Sequence, residues 1–324
     1  MSLIEPYASM IPYMVGIGNH EYDYECKCNG NASRRKESSG RWSWLSTSTK
    51  SGRDDDWCTK NDQSDPKEHS GYHPLLAYYL NDSGGECGVP YYHKFIMPRG
   101  GGYENEKNND NGFNTDSADP MPPFYYSFSY ASAHFVVLSS EHSLEPGSKQ
   151  LTWLLNHLNN NKNKNGSGFD RRRTPWLFFS LHRPLRSSMF IPPQWMVAYY
   201  MRRSLGDLLE QYQVAAVFTG HVHTYERSCP LIGGSLQCQK NPGEEDPSTI
   251  RGTGTVHICV GTGGAHLHRI PRWPIMNAWV QTYADEYGYG RIDVHNATHL
   301  EWKFVANEDG RIVDHTTIVN PYSL

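Results

Sequence analysis

Three apolar runs, each halted by a turn that carries metal-ligating side-chain types, constrain this chain more than any other feature. Val214-Ala215-Ala216-Val217-Phe218 leads into Thr219-Gly220-His221-Val222-His223. Ile11 to Ile17 leads into Gly18-Asn19-His20-Glu21, and Pro175 to Leu181 ends at His182-Arg183-Pro184. Short apolar runs rich in β-branched and aromatic residues read as buried strands. On an extended segment, residues i and i+2 share a side, so His221 and His223 aim at one point or at two adjacent points. A lone His-x-His reads more readily as two hydrogen-bonded loop histidines than as ligands. The company of Asn19 and His182 at other strand ends tips the balance, because sheets with helical crossovers build sites beyond the carboxyl ends of their strands. An amide and several imidazoles suit a first-row metal ion. They lack the carboxylates that normally hold two ions together. Upstream of Asn19 the only acid is Glu5, and Asp207 falls in a predicted helix.

The remaining elements follow from periodicity. Phe124–Tyr130 and His134–Ser139 read as a hairpin. Leu151, Leu154, Leu155 and Leu158 fall on one helical face, and a second helix is expected from about Pro193 to Tyr212. Tyr91–Met97 and Thr255–Val260 read as strands, and 287–294, 299–305 and 310–319 as antiparallel strands. Residues from about 25 to 70 are polar, charged and serine-rich, and read as a surface insertion.

Length and composition fit a globular chain of 324 residues with a net charge of −4, which argues against nucleic acid as a partner. No apolar run approaches the roughly 20 residues of a membrane span. Met1 to Pro6 carries neither the basic nor the apolar region of a signal peptide. Other features look secretory. Sequons stand at Asn31, Asn81, Asn165 and Asn296. Cys229 and Cys238 bracket a short loop that a disulfide can close, Cys58 is a plausible partner for Cys87, and Cys259 reads as a buried thiol. The partners of Cys26 and Cys28 stay open. The simplest resolution is that the true N-terminus lies outside this chain.

Gly18-Asn19-His20-Glu21, the run ending Ser180-Leu181-His182, and Gly220-His221-Val222-His223 together resemble the purple acid phosphatases. The resemblance extends to Gly84–Tyr91, to Tyr225-Glu226-Arg227 and to the strands after about Gly252. It implies a calcineurin-like α/β fold, a four-layer αββα sandwich of two mixed sheets, here missing its first strands and helix. Residues 1–251 would be a partial metallophosphoesterase domain and 252–324 a C-terminal segment completing the second sheet. The family hydrolyses phosphate monoesters with a metal-activated hydroxide at a binuclear centre of Fe(III) and a divalent zinc, manganese or iron. Carried over, Asn19, His182 and His221 would bind the divalent ion, His223 the ferric ion, and His20 would contact phosphate or protonate the leaving group. The family's Gly-Asp-x-Gly and Gly-Asp-x-x-Tyr motifs are not found here, nor its paired histidines, in whose place stands Ser187-Ser188-Met189. The resemblance therefore implies a small phosphorylated substrate and a secreted or vacuolar protein, with only part of the metal site in this chain and low activity. The alternatives are a catalytically inactive pseudo-phosphatase and a secreted glycan- or partner-binding module.

Overall fold

The computed structural model describes residues 4–21, 91, 95, 97–98, 124–159, 169–189, 191–233, 238, 248–251, 253–268 and 278–320. Helix α1 (Glu5–Ala8) is a single turn. The hairpin β1 (Tyr126–Tyr130) and β2 (Ala133–Val137) forms as the sequence pattern indicates, with Phe128 opposite Phe135. Helix α2 (Lys149–Asn159), β3 (Trp176–Ser180) and α3 (Pro192–Gln211) follow, then β4 (Ala216–Thr219), β5 (Tyr225–Leu231), β6 (Thr249–Ile250) and β7 (Thr255–Val260). The chain continues through β8 (Val280–Ala284), β9 (Gly288–Val294), β10 (His299–Ala306) and β11 (Ile312–Val319).

These strands make two mixed sheets, one ordered β1-β2-β3-β4-β7-β5-β8 and the other β6-β11-β10-β9. In the first, β2, β3, β4 and β7 run parallel, so their carboxyl ends meet at one edge. Side-chain alternation along β3 builds two cores. Leu177 and Phe179 pack under α2 and α3 with Leu154, Leu158, Met201 and Leu205. Trp176 and Phe178 face the second sheet, meeting Tyr225, Val256, Ile258, Trp302 and Phe304. Each such buried side chain is worth about 1.5–3 kcal/mol of transfer free energy. The described layers are helix, sheet, sheet, with α2 and α3 on the outer face of the first sheet.

Three expectations need correction. Ile11–Ile17 is not a strand: residues 12–18 join no ladder among the described residues. Its apolar side chains are held instead by side-chain contacts, with Ile17 buried beside Tyr91 and Phe124. The Val15 carbonyl accepts from the hydroxyls of Tyr91 at 2.9 Å and Tyr126 at 2.8 Å. Tyr91 has helical backbone rather than extended, and Phe95 N–H donates to its carbonyl at 3.0 Å. Residues 252–324 do not serve the second sheet alone: β7 inserts into the first sheet between β4 and β5, and β8 forms its edge.

Cys229 and Cys238 are joined in a disulfide with a Cα–Cα separation of 5.4 Å, and Cys259 is a buried free thiol. Cys26, Cys28, Cys58, Cys87, Asn31, Asn81 and Asn165 lie outside the described residues. Asn296 sits exposed in a turn, its Oδ1 accepting from the backbone N–H groups of Thr298 and His299.

Candidate metal centre

Parallel pairing carries His182 and His221 to the same sheet edge. Beyond the last ladder bonds, Leu181 N–H donates to the Phe218 carbonyl at 3.1 Å and Gly220 N–H to the His182 carbonyl at 2.9 Å. The turn at Gly18 then closes over the His182 ring. Gly18 N–H donates to Glu21 Oε2 at 3.0 Å, and a Cβ on Gly18 would stand 3.0 Å from the ring. Glycine is needed there for close approach.

Three donors converge. Asn19 Oδ1 lies 2.7 Å from His182 Nε2 and 3.0 Å from His221 Nδ1, and the two nitrogens are 3.1 Å apart. Asn19 is only 1% exposed. His221 reaches this position with φ at +64°, in the left-handed region. Burial first, with further contributions from Arg183 and His223, pushes His182 down to about 4 and lowers His221 as well; Glu141 opposes the shift at His182. Both imidazoles are therefore neutral under mildly acidic conditions, the state in which imidazole ligates a metal.

The donor set fits one ion. Zinc and its neighbours bond such nitrogens and oxygens at about 2.0–2.2 Å, which puts adjacent ligands about 3 Å apart. The triangle edges match this. Among the described residues no group of three or more His, Cys, Asp or Glu side chains could hold a metal, so the corner rests on two imidazoles and an amide.

His223 does not join the triangle. Its Nδ1 is 2.8 Å from the His266 carbonyl, and its ring stacks on His268 with centroids 4.3 Å apart. The His-x-His alternation puts the two imidazoles on adjacent points rather than one. His20 is exposed on the turn after Asn19.

Sequence reasoning missed the ion pair behind the site. Arg183 and Glu141 are both fully buried, with Nε to Oε1 at 2.8 Å and Nη2 to Oε2 at 3.2 Å. Arg183 Nη1 reaches His221 Nε2 at 3.4 Å. The adjacency of Arg183 to His182 was the available signal. Glu226 was the other omission. Its buried carboxylate accepts from Ser188 N–H at 3.0 and 3.1 Å and from the Ser188 hydroxyl, tying the loop after His182 to β5.

Two mixed sheets with an imidazole–amide corner at the carboxyl ends of the central strands define the class of fold: calcineurin-like α/β. The comparisons narrow it. A family model described as iron/zinc purple acid phosphatase-like protein C matches residues 254–315. Probable inactive purple acid phosphatase 27 of Arabidopsis thaliana is 27% identical over 332 residues, spanning 98% of this chain and 40% of its own length. A nucleotide pyrophosphatase/phosphodiesterase of Hordeum vulgare is 31% identical over 252 residues, spanning 75% of this chain and 58% of itself. Among solved structures, purple acid phosphatase PPD1 from yellow lupin (Lupinus luteus) seeds superposes with a TM-score of 0.62 and 25% identity, over 99% of this chain and 43% of that one. The chain belongs to the purple acid phosphatase family. It spans about two fifths of the length of the Arabidopsis relative and of the lupin structure.

Proposed function

We propose that this chain forms part of a metal-dependent acid phosphatase acting on phosphate monoesters. The observation that carries the reading is the triangle of Asn19 Oδ1, His182 Nε2 and His221 Nδ1, with edges of 2.7, 3.1 and 3.0 Å. The family's centre is binuclear, and these three donors are suited to its divalent ion, whether zinc, manganese or iron. When bound, such ions supply Lewis acidity to a phosphate and to water. The chain's own residues do the rest. Burial keeps His182 and His221 neutral, so the site takes up an ion without first shedding protons. Exposed His20, beside Asn19, is placed to meet a phosphate ester from the solvent side and to hand a proton to the leaving alcohol. General acid help of this kind contributes about 10²–10⁴-fold. For His223 to hold the Fe(III) partner, its Nδ1–H would stay on the His266 carbonyl, the usual outer partner of a ligating histidine, leaving Nε2 for the metal. The substrate is a small phosphorylated molecule. A secreted or vacuolar location accords with the Cys229–Cys238 disulfide, and glycosylation at Asn296 with that residue's exposure.

A second reading, a pseudo-phosphatase that keeps the fold without turnover, is favoured by the names of several relatives, among them probable inactive purple acid phosphatases 27 and 24. The test is hydrolysis of p-nitrophenyl phosphate at about pH 5 with zinc, manganese or iron added. Bis(p-nitrophenyl) phosphate run in parallel addresses the diesterase named in the barley relative. Turnover that needs added metal and falls on His182→Ala supports the phosphatase. Bound metal without turnover of either ester supports the pseudo-phosphatase.

A further inference from the structure

Arg183 biases which of the His221 nitrogens carries the proton. A guanidinium can only donate, and a neutral imidazole has one N–H and one lone pair. Arg183 Nη1 points at His221 Nε2 from 3.4 Å, so Nε2 is the acceptor and the proton sits on Nδ1. There it faces Asn19 Oδ1 at 3.0 Å, a carbonyl oxygen that accepts it. A metal in the corner needs the opposite arrangement. Its bond would use the Nδ1 lone pair, the nitrogen that faces Asn19 and His182. The remaining N–H would then lie on Nε2, donor against donor with Arg183.

We propose that Arg183, clamped by Glu141, is a positioning residue that holds His221 in the tautomer opposed to ligation and so sets how tightly the corner binds a divalent ion. The inference rests on reading that corner as metal-binding. Metal-ligating histidines normally give their second N–H to a carboxylate or carbonyl, and such outer partners change affinity about 10–100-fold. Here the outer partner has the wrong polarity. It also cannot swing aside at low cost. Arg183 is fully buried, two of its nitrogens are held by Glu141 at 2.8 and 3.2 Å, and its backbone N–H donates to Ser140 Oγ at 3.0 Å. Glu141 itself is completely enclosed, so the pair behaves as one rigid unit beneath the His221 ring.

The test has two parts, both on the full chain. Long-range ¹H–¹⁵N correlation spectra of the metal-free wild type read the tautomer directly. A proton on His221 Nδ1 is expected, with inversion to Nε2 on adding zinc; a proton on Nε2 before any metal is added overturns the inference. Zinc affinity is then measured by calorimetry in the wild type and in Glu141→Gln/Arg183→Gln. Changing both residues leaves no buried unpaired charge, and the introduced carboxamide at position 183 can accept from Nε2. The double variant is expected to bind zinc about 10–100-fold more tightly. Equal or weaker binding than wild type overturns the inference while leaving the metal site standing. Zinc bound by neither protein overturns both. Should the double variant not fold, the wild-type spectra decide alone.

Discussion

His134 makes the stability of this protein depend on pH in a way that one substitution isolates. It lies on β2 facing α2, 5% exposed. Nδ1 is 2.8 Å from Ser129 Oγ and Nε2 is 2.8 Å from His157 Nε2. Its ring stacks on His157 and tilts against Phe169. Burial, and then the neighbouring His157, pushes it from 6.5 down to about 4. Between those values the unfolded chain binds the proton and the folded chain does not. Stability therefore rises with pH, is full above about 6.5, and drains away as pH falls toward 4. The whole shift is worth about 3 kcal/mol, of which about 2 kcal/mol is gone by pH 5. His157, lowered by burial too, adds a slope of the same sign. His134→Gln keeps hydrogen-bonding groups but cannot titrate. Urea unfolding at about pH 7.5 and pH 5 should show the wild type losing about 2 kcal/mol more than the variant between the two. Equal losses in both proteins would refute the reasoning.

Asp314→Ala strands the buried Arg227, which pairs with it at 2.6 and 2.9 Å across the two sheets, and should cost about 3–5 kcal/mol in chemical unfolding. Burial works against ionisation of Asp314, but Arg227 overrides it and holds the carboxyl below its ordinary value. That contribution is thus intact at pH 5 and lost only as pH falls below about 4 toward the lowered value, which acid titration of wild type against Asp314→Asn will show. Reducing Cys229–Cys238, nine residues apart in sequence, should lower stability by about 2–3 kcal/mol, read as a drop in the urea midpoint on adding dithiothreitol. Gly261→Ala would put a Cβ 1.9 Å from the Val222 carbonyl, pushing the loop that carries His221 and His223. Zinc affinity measured by calorimetry should fall sharply, with the α-helical circular dichroism signal unchanged.

Local periodicity made the hairpin, α2, α3 and β3, β4 and β7 legible, because each carries its own apolar pattern. The Ile11–Ile17 run has the same pattern but no ladder partner among the described residues, and nothing local distinguishes a paired strand from an extended segment pinned by tyrosine hydroxyls. β5 was hidden for the opposite reason. Glu226, Arg227 and Ser228 are buried polar residues whose partners, Ser188, Asp314 and the His257 amide, come from distant parts of the chain. Tyr225 and Arg227 serve the inter-sheet network and Glu226 the loop after His182, an alternation visible only once the strand is known. At the site, the ligand types at strand ends could be read directly. The inward turn of Asn19 could be tested only in three dimensions, as could the hydrogen bond from His223 to the His266 carbonyl and the Arg183–Glu141 pair.

A zinc-soaked crystal examined at the zinc absorption edge tests the central claim most directly. The account predicts an anomalous peak within bonding distance of Asn19 Oδ1, His182 Nε2 and His221 Nδ1, and its disappearance in His182→Ala. A fully soaked crystal with no peak at that corner, or with zinc held only by other residues, would contradict it.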